Sequence, residues 1–349
     1  MPHADTWPTL AALLAAAAIY ARGWRAESRR RPTRFGPGRL AAFLGGLAVI
    51  AVAARAYAHG DAPDGGRGVM PHTDTWPTLA ALLAAAAVYA RGWWALSSRM
   101  PARFGKGRLA AFLGGLAVIA VALASPLDTL AGGRLSVHMV QHQLLMMLAP
   151  PLLWLGAPIA PILRGLPRSI RRPVAAALAL RILRPMAHIV ANPAFGWVAF
   201  ALAFWIWHAA PLYQLALRSH AWHHVEHASF VATAMLFWRP VIDAWPDRAP
   251  WPRWTMIPYL LLADLQNTIL AAILTFSDRL VYPAYASITV SRLSALDDQA
   301  MAGVIMWVPG SLVFLLAAIW LAMEALGGAG AARGVASSDP YGFGAGGAS

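Results

Sequence analysis

Uncharged apolar runs separated by short polar loops set the rhythm of this chain. The stretches 109–124, 198–207 and 304–323 carry no Asp, Glu, Lys or Arg at all. Runs near 20 residues of this kind are the signature of membrane-spanning helices, whose length is set by a hydrocarbon layer about 30 Å thick. The pattern predicts nine spans, near 8–22, 40–57, 77–93, 109–125, 137–162, 195–210, 222–243, 254–276 and 299–325. The expected fold is all-α, a polytopic transmembrane helix bundle of seven core spans with a duplicated N-terminal hairpin in front.

The duplication is nearly perfect. Residues 1–53 match 70–122 with eight substitutions, among them Arg25 for Trp94, Glu27 for Leu96 and Pro37 for Lys106. Each copy holds two apolar segments around an Arg-rich loop, hence a helical hairpin. Two copies at so long a period do not make a solenoid. A segmental duplication, or a start upstream of an original Met70, accounts for it. Two added spans leave the orientation of everything downstream unchanged. The expected organisation is a hairpin and linker at 1–69, a seven-helix membrane core at 70–326, and a Gly/Ala/Ser-rich disordered cytoplasmic tail at 327–349.

Composition agrees with this picture. The chain is 59% hydrophobic and 12% charged, against about 25% charged for soluble domains. The net charge of +13 lies mostly in short loops, which reads as topology and argues against a nucleic-acid partner. With the N-terminus outside, the inner segments hold 22 Lys and Arg and the outer ones six. The positive-inside rule therefore places the N-terminus outside and the C-terminus in the cytoplasm. The stretch 165–192, with Arg168, Arg171, Arg172, Arg181 and Arg184, reads as an interfacial helix against the inner lipid leaflet. The absence of cysteine excludes disulfides, thiolate sites and iron–sulfur clusters, so any metal must use His, Met, carboxylates or carbonyls.

Topology makes the histidines informative. His138 and His142 begin the fifth span four residues apart and so share a helix face, with Met146 one turn deeper. His208 ends the sixth span, and His220, His223, His224 and His227 open the seventh with Glu226 among them. All lie on the outer side, as do Asp297 and Asp298 ahead of the ninth span, whereas His188 falls on the cytoplasmic side. A single His at a helix end commonly makes one interfacial hydrogen bond, and Met stripes commonly only pack. Two i,i+4 imidazole pairs entering from one side are harder to assign to packing. Neutral imidazole suits Zn, Cu, Fe and Ni, and thioether sulfur favours Cu(I). The candidate ligands are His138, His142, Met146, His208, His223 and His227. Glu226 is a further ligand or a partner that fixes a ring tautomer.

Polar residues within spans are the other signal. Asp264, Gln266 and Asn267 fall near the middle of the eighth span. Gln266 and Asn267 suit helix–helix hydrogen bonds. Asp264 is expected to pair with a basic group, hold a proton or assist ion passage. Pro150, Pro151, Pro158 and Pro161 should kink or break the fifth span, and Pro309 the ninth.

The run Ser125–Pro126–Leu127–Asp128, then His138–Met139–Val140–Gln141–His142, then Ala149–Pro150–Pro151 and Leu155–Gly156–Ala157–Pro158 resembles the multi-helix CtaG-type cytochrome c oxidase assembly factors. Trp207–His208, Pro211–Leu212–Tyr213, the His223-to-His227 segment, Phe237–Trp238, Asp298 to Gly303 and Met306–Trp307 continue it in order. The resemblance implies a multi-pass protein of the bacterial inner membrane, needed to mature haem–copper oxidases and suspected of copper delivery. Its recurring polar positions fall on His138, His142, His208, His223, His227 and Asp298.

Copper held transiently at the outer face, for transfer to the oxidase catalytic subunit and exchange with other copper chaperones, is the expected function. Asp298 and Glu226 would tune or relay, with Asp264 as a further relay candidate. Three alternatives remain open on the sequence: haem bound by paired histidines, a copper or proton transporter using Asp264, and a metal-free scaffold. No nucleophile–base pairing or phosphate loop stands out, so no enzyme is expected.

Overall fold

The structure is a computed structural model describing residues 75–180, 182, 184–242, 251–286 and 294–336. The N-terminal hairpin expected at 1–69 lies outside these residues, as does the chain from 337 on. Every element among the described residues is helical, as the fold class required. In order they are α1 (Thr75–Ser97), α2 (Lys106–Leu123), α3 (Pro126–Ala131), α4 (Leu135–Gln143), a π-helical turn (Leu144–Leu148), α5 (Ala149–Leu155), α6 (Ile159–Gly165) and α7 (Arg168–Leu178). Then follow α8 (Arg184–Ala191), α9 (Pro193–His208), α10 (Ala210–Arg218), α11 (His220–Ile242), α12 (Met256–Phe276) and α13 (Ala295–Ala336), with short 3₁₀ turns at Arg253–Thr255 and Pro283–Tyr285.

Among the described residues, four helices are long and apolar enough to cross a membrane: α1, α2, the 253–276 helix and 295–326 of α13. Two bent pairs raise the number to as many as six: 135–155 with 159–165, bent by 70°, and 185–191 with 193–208, bent by 69°. The count of nine is not confirmed. Two of the nine spans lie outside the described residues. The segment expected to cross at 222–243 forms the 23-residue α11, but Glu226, His227 and Arg239 leave it less apolar than a span by composition.

The helix surfaces fit a lipid solvent. On α12, Leu261, Leu262, Leu265, Ile269, Ile273 and Phe276 face outward and are exposed, while Gln266 and Asn267 are buried on the inward face. That inverts the amphipathic pattern of a soluble helix and satisfies polar groups inside the bundle. Asn267 donates to the Met306 carbonyl at 3.1 Å, and Gln143 to the same carbonyl at 3.3 Å, so one backbone oxygen of α13 ties α12 and α4 to it. Asp264 is half-buried and accepts from Ser311 of α13 at 2.5 Å. α7 carries Arg168, Arg171 and Arg172 and buries no side chain.

Local sequence sets the boundaries. Ser125 and Asn192 cap α3 and α9, accepting from the amides of Leu127 and Ala194, and a proline follows each cap at the first helical position. The fifth expected span breaks where its prolines predicted. Pro150 has no N–H for the Met146 carbonyl, and its ring crowds a regular turn. The chain absorbs this as the π turn Leu144–Leu148, and the freed Met146 carbonyl accepts the Trp238 indole N–H at 2.9 Å. Beyond α5 the chain bends by 70° through Gly156–Ala157–Pro158, with the buried Ala157 in the left-handed region at φ 49°. Tyr89 pins this corner by donating to the Gly156 carbonyl at 2.6 Å. α6 then lies across α1 with backbones touching. A Cβ at Gly92 would fall on the Pro161 carbonyl, and one at Gly165 on the Val88 carbonyl. Small residues permit this approach between helices in lipid.

Two hydrophobic clusters fill the bundle. One gathers Phe200, Phe204, Phe237, Trp238, Tyr259 and Phe314; the other gathers Tyr89, Phe112, Leu116, Leu144, Leu145 and Leu153. Met235 and Ile305 pack against both.

Candidate metal centre

Three elements carry the histidines to one place. α4 supplies His138 and His142 one turn apart, with ring centroids at 4.4 Å. α9 ends on His208, whose ring lies 5.9 Å from that of His142. α11 begins with His220 and brings His223, Glu226 and His227 inward. The rings of His223 and His227 are 4.1 Å apart, and they stand 5.3 and 6.1 Å from His138. The two i,i+4 pairs therefore meet. Their meeting depends on how α4, α9 and α11 pack, with Gly196 of α9 lodged against the Leu236 carbonyl of α11 at the far end.

The ligand-bearing atoms converge without partners. One ligand atom each of His138, His223, Glu226 and His227 lie within 4.8 Å of one another. The Nε2 atoms of His138, His142, His208, His223 and His227 are buried and make no hydrogen bond, nor does either oxygen of Glu226. Glu226 is fully buried, and its nearest charge partner is the His142 Nε2, 3.6 Å from Oε1. Buried polar atoms are almost always satisfied, and a buried carboxylate without a donor is costly. The unpartnered nitrogens of His138, His223 and His227 and the Glu226 carboxylate fit a cation that those four could hold, with the Nε2 atoms of His142 and His208 unpartnered beside them.

The opposite edges of two rings are anchored. His208 shares its Nδ1 with the Phe204 carbonyl at 2.7 Å, and since a carbonyl only accepts, Nδ1 carries the proton and Nε2 is left with its lone pair. His138 Nδ1 lies 2.9 Å from the Tyr213 hydroxyl and 3.1 Å from that of Tyr285; the two hydroxyls are 3.2 Å apart, and Tyr285 donates to the Ala131 carbonyl. Burial pushes the pKa of both phenols above the usual range, so both stay protonated. Hydrogen-bonded partners on the far nitrogen are the usual means of orienting a metal-binding imidazole.

Asp298 sits at the start of α13 and caps α4. Its carboxylate accepts from the Leu135 amide at 2.7 Å and from the Ser136 hydroxyl and amide. It thus fixes the turn from which His138 projects. Asp128 is similarly tied to α4, accepting from Gln141 at 2.7 Å.

Of the residues singled out in the sequence, His138, His142, His208, His223, Glu226 and His227 come together. Met146 is buried in the main hydrophobic cluster beyond the start of the π turn. Asp298 touches α4 through its backbone and Ser136, and Asp264 lies at the α12–α13 contact with Ser311. Sequence reasoning missed Tyr213 and Tyr285 as partners of His138. Tyr213 falls within the Pro211–Leu212–Tyr213 block, whereas Tyr285 stands in a 3₁₀ turn with no local signal. A cavity of about 300 Å³ opens beside the cluster, lined by His138, His223 and His227 and, toward its mouth, by the exposed His220 and His224.

Comparison with known proteins bears on this arrangement. Uncharacterized proteins of Mycobacterium bovis and Mycobacterium tuberculosis are each 28% identical to the chain over 212 residues, 58% of this chain and 31% of theirs. An uncharacterized protein of Mycobacterium leprae is 26% identical over 219 residues, again 58% of this chain and 31% of its own. The chain thus spans about a third of the length of these curated relatives. No solved structure matches it. Residues 87–327, which take in every histidine of the cluster, match the Caa3_CtaG family, described as cytochrome c oxidase caa3 assembly factor. The chain belongs to the cytochrome c oxidase caa3 assembly factor family.

Proposed function

We propose that this protein holds copper within the membrane bundle, at the outer face, and passes it to the haem–copper oxidase catalytic subunit during oxidase assembly. The observation that carries the reading is the convergence of His138, His223, Glu226 and His227 within 4.8 Å, with their ligand atoms buried and unpartnered. Neutral imidazoles with one carboxylate form a set suited to copper or zinc, and the family's role in oxidase assembly favours copper. The cavity beside the cluster supports cargo over a sealed structural ion, since release needs an exit. The positive-inside count puts this end of the bundle outside, with the C-terminus in the cytoplasm. Holding and transfer are the whole of the role; no bond of a substrate is made or broken.

The test is metal content and visible absorption of detergent-purified protein from copper-replete cells. Wild type should carry copper without a haem band, and a His138→Ala/His227→Ala variant should lose it. His188→Ala, on the other side of the membrane, should keep it. Metal-free wild type would leave a scaffold role, and a haem band would replace the copper reading.

A further inference from the structure

The cluster holds more ligand than one ion needs. His138, His223 and His227 line the cavity, whereas His142 and His208 do not. Those last two lie behind the first group, against Phe230, whose ring is 4.7 Å from His142 and 6.0 Å from His208. Phe204, 4.8 Å from His208, adds to the apolar wall. Both inner histidines have an unpartnered Nε2, and that of His208 is fixed as a lone pair by its Nδ1 bond to Phe204. Glu226 belongs to the outer group by distance, yet its Oε1 is 3.6 Å from His142 Nε2. Its carboxylate faces both groups.

We propose, building on the copper reading above, that the cluster contains two adjacent ion positions sharing Glu226. The outer is formed by His138, His223 and His227 at the cavity. The inner is formed by His142 and His208 against the phenylalanine wall. One carboxylate cannot offset two cations in a low-dielectric interior, where like charges at this separation repel strongly. A single ion therefore occupies one position at a time and steps between them with Glu226 as the common ligand. The outer position exchanges ions with the cavity, and the inner one holds the ion away from water. No bond but metal–ligand bonds changes, and the oxidation state is conserved.

The probe is Cu(II) alone, added at one equivalent to the full chain in detergent and read by electron paramagnetic resonance and by competition with a chelator. Wild type should give two overlapping copper spectra. His142→Ala/His208→Ala should keep only the component of the outer position, and His138→Ala/His223→Ala only that of the inner position. Each variant should still bind about one equivalent. A single wild-type spectrum, unchanged in shape and affinity by His142→Ala/His208→Ala, would reduce the cluster to one outer site. Loss of all copper in either double variant that remains monodisperse would mean one site requiring every ligand, and would also overturn the proposal. The wild-type spectrum needs no substitution, so misfolding of a variant leaves the test decisive. No copper in wild type would instead remove the reading on which both positions rest.

Discussion

The tyrosines behind His138 separate ligation from ligand positioning. Tyr213 and Tyr285 touch Nδ1 and leave Nε2 to the cluster. Removing such a partner typically costs about 10–100-fold in metal affinity while the fold persists. Tyr213→Phe should therefore weaken copper binding by about that factor in a chelator competition, with little change in thermal unfolding. Tyr259→Phe is the contrast. Its hydroxyl donates to the Phe237 carbonyl at 3.0 Å within the core, so its loss should lower the unfolding temperature and leave copper affinity unchanged. Asp298 combines both effects. Asp298→Ala removes the acceptor for the first amides of α4, a capping loss of about 0.5–2 kcal/mol. It should reduce both thermal stability and copper occupancy, because the turn it fixes carries His138.

Among the elements, the break in the 135–155 helix and the α1–α6 crossing carry the strongest constraints. Trp238→Phe would leave the Met146 carbonyl buried without a donor, at a cost of about 1–3 kcal/mol, seen as a lower unfolding temperature in detergent. Gly92→Leu would drive a side chain into the Pro161 backbone and should separate α1 from α6, read as loss of a monodisperse species. What the sequence disclosed at this scale follows the range of each rule. The i,i+4 pairing of His138 with His142, and the break at Pro150, depend on residues within a turn, and both are found. The union of the two histidine pairs depends on three helices meeting, and Tyr285 reaches His138 from 147 positions along the chain; no local pattern encodes either. Asp264 and Asp298 stood out as buried or outward-facing acids, but their partners Ser311 and the Leu135 amide lie 47 and 163 residues away. α11 covers the span expected at 222–243, with the clustered His223, Glu226 and His227 in its first turns.

Across the whole molecule, the described core from Thr75 onward contains both hydrophobic clusters and every converging histidine. The family match likewise begins at residue 87. A chain started at Met70 should therefore insert, remain monodisperse and bind copper with unchanged affinity. A fall in copper content on removing 1–69 would show that the first repeat contributes to the site. The same view explains why fold class was legible while the count of nine spans is not confirmed. Apolar runs report burial in lipid directly, whereas bends of 70° and 69° arise from proline corners whose angle depends on what packs around them.

The contact between Asp298 and the first turn of α4 has a consequence for biogenesis. A ribosome delivers α4 long before α13, and the carboxylate that seats α4 arrives only with that last long helix. A nascent chain halted before residue 294 would expose its histidines to the translocation machinery with their scaffold unfinished. If the cluster holds copper as proposed, a chain lacking α13 should therefore fail to capture it.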